Sequence, residues 1–121
     1  FLQTGEQVRE AFPHPLLYDA CQYMQVHWAD EQLNVEAILK QVDASRSMLS
    51  ALFKEHLGQS PLQYLNAIKL VHARTLLAGS IHTIAEVAVR CGLRDASYFS
   101  NWFRKQTGMT PSQFREGASR L

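Results

Sequence analysis

An internal repeat constrains this chain of 121 residues more than any other feature. Residues 53–64 recur as residues 103–114 at an offset of 50, whereas residues 35–42 recur as residues 84–91 at an offset of 49. The second copy therefore carries one extra residue, near Arg94 and Asp95. The matched pairs include Phe53 with Phe103, Gly58 with Gly108, Pro61 with Pro111, Leu49 with Phe99, and Val35 with Ile84. Each copy has the pattern of a short helix, a tight turn, a second helix and a glycine stop, which is typical of a helix-turn-helix unit.

Capping residues predict where the helices of the first copy begin and end. Asn34 is a candidate N-cap for a helix over 35–42, and Ser45 is a candidate N-cap for a helix over 46–57. Gly58 supplies the left-handed residue that commonly ends a helix.

The second copy has equivalent signals. Thr83 and Glu86 have the spacing of a capping box, and the helix that they open is expected to reach about Cys91. Asp95 is a candidate N-cap for a helix over 96–107.

Start signals that contain proline predict the remaining helices. Ser60 and Pro61 open a long connector, Thr110 and Pro111 open a last helix to about residue 119, and residue 15 opens a first helix that should end near residues 29–31. The predicted apolar face of that first helix comprises Leu17, Cys21, Met24 and Trp28. No segment alternates as a strand would, so the sequence predicts an all-α fold of about seven helices.

These boundaries predict two helix-turn-helix subdomains joined by one long helix. The first subdomain is expected over 14–60, the connector over 61–79 and the second subdomain over 80–121. Residues 1–13 are interpreted as a linker or the tail of a missing upstream domain, because they lack periodicity and the first residue is Phe1 rather than methionine.

The positive charge of the chain lies with the repeat. The net charge is only +1, but residues 1–33 hold one base and five acids, whereas residues 34–121 hold eleven bases and six acids. Such clustering is the electrostatic footprint of a protein that binds a polyanion.

The reactive side chains favour binding over catalysis. Cys21 and Cys91 both fall on apolar faces and are interpreted as buried free thiols of a reducing cytoplasm. No metal-binding spacing occurs, and no serine or cysteine pairs with a histidine as a nucleophile would. We therefore expect no metal, no cofactor, no membrane association and no enzyme activity in this chain.

The amino-acid sequence of the repeat resembles the signature of the AraC/XylS family of bacterial transcription regulators. The residues that carry the likeness include Ile84, Ala85, Glu86, Ala88, Cys91, Gly92, Leu93, Ser97, Tyr98, Phe99, Phe103, Gly108, Pro111 and Phe114, with Pro61, Tyr64, Leu65, Ala73 and Leu77 in the connector. The resemblance spans about residues 15–117. It implies sequence-specific binding to double-stranded DNA in consecutive major grooves, usually to activate transcription, in the bacterial cytoplasm and at the nucleoid.

The resemblance also implies partners. RNA polymerase is the expected protein partner. The fragment itself is expected to be monomeric, and a dimer of the parent protein, if one forms, is expected to depend on the missing domain.

Base contacts are expected from the outward faces of the two helices over 46–57 and 96–107. The candidates are Arg46, Ser47, Ser50 and Ala51 in the first copy, and Ala96, Ser97, Ser100 and Asn101 in the second. Asn101 is the leading candidate, because an asparagine amide can pair bidentately with adenine. The first copy offers mainly short side chains and is expected to read fewer bases. The open alternative is that these are ordinary solvated polar residues.

Phosphate contacts are expected from bases and from helix starts. The candidates are Ser45, Lys54, Ser60, Thr83, Arg94, Arg104, Lys105 and Thr110. Lys54 and Arg104 occupy equivalent positions in the two copies, whereas capping alone could explain the four hydroxyl residues.

Two rival functions remain open at the level of sequence. The first is a helical module that binds protein, which steep salt dependence of DNA binding would argue against. The second is a DNA-modifying enzyme that carries this domain as its reader.

Overall fold

The computed structural model describes residues 13–79 and 81–119, so the predicted linker lies outside the described residues except for Pro13. Within these ranges the chain forms helices and no strand, which confirms the predicted all-α fold. The helices are α1 (Pro15–His27), α2 (Val35–Val42), α3 (Arg46–Leu57), α4 (Pro61–Gly79), α5 (Ile84–Arg90), α6 (Ala96–Thr107) and α7 (Pro111–Ser119). None of the helices in the described ranges combines the length and the apolarity needed to cross a bilayer.

The fold divides into two compact units. The first comprises the described residues through His27 together with Leu33–Leu65, and the second comprises Trp28–Gln32 together with the described residues from Asn66 onward. The division falls inside α4, which is the predicted connector. The subdomain boundaries drawn from the sequence at residues 60 and 80 stay a prediction.

The first unit holds the helix-turn-helix formed by α2 and α3. Its core includes Ile38, Leu49 and Phe53, whose side chains are fully buried, and the ring of Phe53 meets the edge of Tyr64 at a centroid distance of 5.5 Å. Ser45 caps α3, because its hydroxyl oxygen accepts the N–H of the third helical residue at 3.1 Å. Burial of Leu49 and Phe53, four residues apart, fixes which face of α3 points outward.

The second unit holds the helix-turn-helix formed by α5 and α6. Its core contains aliphatic residues together with Phe99 and Phe103, whose ring centroids lie 5.8 Å apart, and Phe114 packs against it with its ring centroid 5.6 Å from that of Phe103. The predicted capping box is present at the start of α5, where Thr83 and Glu86 each accept the other's backbone N–H at 3.1 Å. Phe99 and Phe103 repeat the spacing of the buried pair in α3, so α6 also has a fixed outward face.

The two helix-turn-helix turns share one backbone design. In the first, the N–H of Ala44 donates to the carbonyl of Leu39 at 3.1 Å; in the second, the N–H of Leu93 donates to the carbonyl of Ala88 at 2.9 Å. Both bonds join a residue after the helix to a carbonyl five residues earlier, as in a Schellman ending. The left-handed residue of this ending is Asp43 in the first turn and Gly92 in the second.

These matched bonds locate the extra residue of the second copy. Ala44 and Leu93 are equivalent at the offset of 49, whereas the N-caps Ser45 and Asp95 are equivalent at the offset of 50. The inserted residue is therefore Arg94, which lies between Leu93 and Asp95.

The structure corrects the expected end of the first helix. We expected α1 to continue to residues 29–31 with Trp28 on its apolar face, but α1 ends at His27. Trp28 belongs to the second unit and stacks on His72, with ring centroids 3.8 Å apart and an interplanar angle of 2°. The regular spacing of apolar residues continues through Trp28, but its ring stacks on His72, in the part of α4 that belongs to the second unit.

Candidate nucleic-acid interface

The exposed face of α3 carries short polar side chains and one base. Ser47, Ala51 and Lys54 are all exposed, opposite the buried Leu49 and Phe53. Because residues three and four apart lie side by side on a helix, these three form one continuous strip. Ser50, also a predicted base-reading residue, is only half-exposed because it lies nearer the core side of the helix.

Arg46 at the start of α3 has a protein partner in the unbound chain. Its guanidinium forms an ion pair with the carboxylate of Glu36 in α2, and both side chains remain more than half exposed to solvent. An exposed pair of this kind contributes little free energy, typically up to about 1 kcal/mol. Arg46 can therefore exchange this carboxylate for another anion at small cost.

The exposed face of α6 is more polar and more basic than that of α3. Ser97, Asn101 and Arg104 form the strip opposite the buried phenylalanines, and Lys105 lies beside Asn101. Because successive helical residues are about 100° apart, Asn101 lies at the centre of this face. The predicted base-reading residue Ser100 is half-exposed and lies at the edge of this face. Ala96 is also half-exposed, but it lies about 140° around the helix from Asn101, on the side of the buried phenylalanines.

Tyr98, which is not among the predicted contact residues, also belongs to this face. Its side chain is 44% exposed and lies one helical turn before Asn101. The guanidinium carbon of Arg94 lies 4.8 Å from the centroid of the Tyr98 ring. Helical spacing from Asn101 would have identified Tyr98, because residues three apart lie on the same side of a helix.

The four candidate hydroxyl residues at helix starts all serve their own helices. The hydroxyl oxygens of Ser45, Ser60, Thr83 and Thr110 each accept a backbone N–H at 3.1 Å. At the last three of these positions a side chain also accepts the N–H of the capping residue itself. These bonds occupy donors that a phosphate would use, so the hydroxyl hydrogens remain as the groups that can still donate.

The start of α5 differs from the others because it carries an acid. Hydrogen bonds from Thr83 hold the pKa of the exposed Glu86 carboxyl below its usual value. The carboxylate therefore stays ionised beside Thr83 and repels an approaching phosphate. Thr83 is the least suited of the four hydroxyl candidates to an anion.

Lys54 and Arg104 occupy matching places near the ends of α3 and α6. Each lies in the last turn, where its own carbonyl accepts the N–H of the glycine that ends the helix, Gly58 or Gly108. Both side chains are exposed. A cation in the last turn is favourable for the helix dipole as well, and it leaves the charged head in solvent.

The turn of the second helix-turn-helix rests on a buried lysine that the sequence did not reveal. Lys69 in α4 is 5% exposed, and its ammonium donates to the carbonyl of Cys91 at 3.2 Å. Burial lowers the pKa of Lys69, and the nearby Cys91 and Asp30 oppose that shift. The bond satisfies a carbonyl at the end of α5 and ties the turn to α4.

The remaining sequence predictions concern packing. Cys21 and Cys91 are free and buried, as expected, and burial raises the pKa of the Cys91 thiol to about 11. The spacing of the aromatic residues also predicts that Phe53, Phe103, Trp28 and Trp102 belong to the core. Phe53 and Phe103 are fully buried, whereas Trp28 and Trp102 are half-buried and pack against the core of the second unit.

Comparison with known proteins identifies the family of this interface. A family model described as a helix-turn-helix domain matches residues 38–117, from within α2 to within α7. The HTH-type transcriptional activator RhaS of Salmonella schwarzengrund (strain CVM19633) is 37% identical over 95 residues, or 78% of this chain. The chain belongs to the AraC/XylS family of DNA-binding domains. This AraC/XylS domain spans only 34% of the length of that RhaS relative.

Solved structures place the AraC/XylS domain among DNA-binding domains of known geometry. The C-terminal domain of AraT, a response regulator from Geobacillus stearothermophilus, superposes with a TM-score of 0.80 at 33% identity and covers 85% of each chain. The DNA-binding domain of the global transcriptional factor AdpA, in complex with a target DNA, has a TM-score of 0.74 at 30% identity. The superposition covers 84% of this chain and 90% of the AdpA chain. The AraC/XylS fold is thus established for this chain, and in AdpA a domain of this fold is bound to a target DNA.

Proposed function

We propose that this chain is the operator-reading domain of a bacterial transcription activator, and that α3 and α6 enter successive major grooves of one duplex. The observation that supports this most strongly is that each helix buries one face and leaves a polar strip on the other. The relatives support the activating role, since RhaS is named as a transcriptional activator. RNA polymerase is then the protein partner, and dimerisation of the parent protein, if it occurs, involves a domain outside this chain.

Base reading is assigned mainly to α6. Asn101 lies at the centre of its exposed face with Ser97 beside it, so its amide is placed to pair with an adenine edge. Ser47 and Ala51 take the equivalent places on α3, where a small side chain permits close approach and Ala51 can contact a thymine methyl group. Arg46 contributes after release from Glu36.

Phosphate contacts are assigned to the exposed bases around these strips. Lys54 on α3, and Arg104 and Lys105 on α6, flank the base-reading residues, and Arg94 stands at the start of α6. Such contacts fix the register of the domain on DNA without reading sequence. The helix-start residues Ser45, Ser60 and Thr110 add hydroxyl donors.

The expected operator is asymmetric. The two outward faces share serine at two of the four equivalent reading positions but differ at the other two, where Arg46 and Ala51 correspond to Ala96 and Asn101. Recognition helices in successive major grooves lie about 34 Å apart along the duplex. One copy of the domain should therefore select a motif of about two helical turns without internal symmetry. A helical module that binds only protein would select no motif.

Selection from a random pool of duplexes, with the whole chain as bait, tests this function. Wild type should recover one asymmetric motif, and Asn101→Ala should relax a single position of it, with a loss of about 1–3 kcal/mol of discrimination. Lys54→Ala should weaken binding to all duplexes alike and reduce the salt slope by about 1.

The matched control for Asn101 is Gln106→Ala. Gln106 is also an exposed amide on α6, but five residues further on it lies about 140° around the helix from Asn101. This variant should recover the wild-type motif. Equal affinity of wild type for every duplex would refute the proposed function.

A further inference from the structure

We propose that Tyr98 is a positioning residue, which holds the inserted Arg94 against its ring so that the guanidinium edge meets a DNA phosphate. The inference rests on the proposed function and adds a specific contact to it. Its basis is a residue that only the second helix-turn-helix possesses.

The insertion brings a cation to the start of α6 without disturbing the turn. The Schellman bond of Leu93 and the N-cap bond of Asp95 are both formed, at 2.9 Å and 2.8 Å, so the backbone on each side of Arg94 has its regular geometry. Arg94 is exposed. The extra residue therefore alters the surface of the second turn rather than its fold.

Tyr98 gives this cation a defined place. The guanidinium carbon of Arg94 lies 4.8 Å from the ring centroid, within the distance at which a cation over an aromatic face is attracted. The acidic neighbour Asp95 directs its carboxylate to the backbone N–H of Tyr98. A stacked guanidinium uses its flat face for the ring and keeps its N–H edge for an oxygen acceptor.

The pair is also located on the proposed DNA-facing side. Tyr98 lies on the exposed face of α6, one turn before Asn101 and two turns before Lys105. The first helix-turn-helix lacks both members, since Met48 stands in place of Tyr98 and no residue corresponds to Arg94. A phosphate contact from the Arg94–Tyr98 pair would therefore anchor the second unit alone.

A double-mutant cycle on the whole chain tests the pairing. The probe is the duplex selected by wild type, titrated by fluorescence anisotropy at several salt concentrations. Arg94→Ala should weaken binding about fivefold and reduce the salt slope by about 0.9. Tyr98→Leu should weaken it about threefold, and the double variant should stay near fivefold instead of about fifteenfold, because the two residues act through one contact.

Tyr98→Phe distinguishes a role of the ring from a role of the hydroxyl group, because it keeps the ring that contacts Arg94 and removes only the hydroxyl. It should bind within about twofold of wild type and retain the wild-type salt slope. Met48→Leu, at the equivalent place on α3, should leave affinity unchanged. Thermal unfolding of each variant shows whether the fold is retained.

Three results would overturn the inference: independent effects in the double variant, an unchanged salt slope in Arg94→Ala, or a loss in Tyr98→Phe as large as in Tyr98→Leu. None of them would affect the proposed function if wild type still selects a motif and Asn101→Ala relaxes it. Absence of any selected motif would instead refute the proposed function itself.

Discussion

Replacement of Gly92 by alanine should destabilise the second unit more than any other glycine replacement at a helix end. Gly92 has a φ of +72°, a conformation that side chains disfavour. A Cβ added there would lie 2.6 Å from the carbonyl oxygen of Ala29 and 2.8 Å from its carbonyl carbon. Both atoms belong to backbone, so the clash cannot be relieved by rotation of a side chain.

The magnitude follows from two contributions. The left-handed conformation costs an L-residue about 1–2 kcal/mol, and overpacking against fixed atoms costs about 1–3 kcal/mol more. Gly92→Ala should therefore lower the free energy of unfolding by roughly 2–5 kcal/mol. Gly108 is the matched control, because its φ is +84° but nothing lies within 4 Å of its added Cβ. Gly108→Ala should incur only the first contribution, about 1–2 kcal/mol.

Urea denaturation followed by tryptophan fluorescence measures this difference. The chain has two tryptophans, Trp28 and Trp102, and both lie in the second unit with Gly92 and Gly108. The fluorescence transition thus reports the unit in which both substitutions are made. Equal midpoints for the two variants would show that the backbone of Ala29 does not approach Gly92 closely, and would refute the reasoning.

Two further predictions concern the same unit. Because burial raises the pKa of Cys91 from 9.0 to about 11, the native state keeps its proton where the unfolded state loses it. The free energy of unfolding of wild type relative to Cys91→Ala should therefore fall by about 2–3 kcal/mol as pH rises from 9.0 to about 11. Urea denaturation of both proteins at each pH measures this difference. A difference that does not change with pH would contradict the burial of the thiol. Asp95→Ala should lower the free energy of unfolding by about 1 kcal/mol in the same assay, because it removes the oxygen that accepts the backbone N–H of Tyr98. Asp95→Asn should retain most of that stability, since an amide oxygen can accept the same hydrogen bond. Equal losses in the two variants would show that the side-chain oxygen does not cap α6.

Local signals in the sequence were sufficient to predict most of the helix boundaries. Ser45 and Asp95 begin α3 and α6, and Gly58 and Gly108 end them, as expected. Each of these signals acts within one helical turn through a hydrogen bond to nearby backbone. Such bonds depend on a few neighbouring residues, so the sequence alone reveals them.

Features that depend on distant partners could not be predicted in this way. Trp28 continues the apolar spacing of α1 but stacks on His72, 44 positions further along the chain. Lys69 has the charged side chain of a solvated helix residue, yet it is buried, and its ammonium donates a hydrogen bond to the carbonyl of Cys91. In both cases the deciding partner is identified by the fold, and the local pattern indicates a different environment.

The positive charge of this nearly neutral chain is distributed unequally between the exposed faces of α3 and α6. At the equivalent positions after Lys54 and Arg104, α3 carries Glu55 and α6 carries Lys105, and all four side chains are exposed. The pair on α3 therefore has no net charge, whereas the pair on α6 has a charge of +2. Because the salt-dependent part of DNA affinity scales with the number of phosphates neutralised, the second unit should supply most of it. The inward residues of the repeat are thus similar in the two copies, whereas the outward residues that we propose to contact DNA differ in charge.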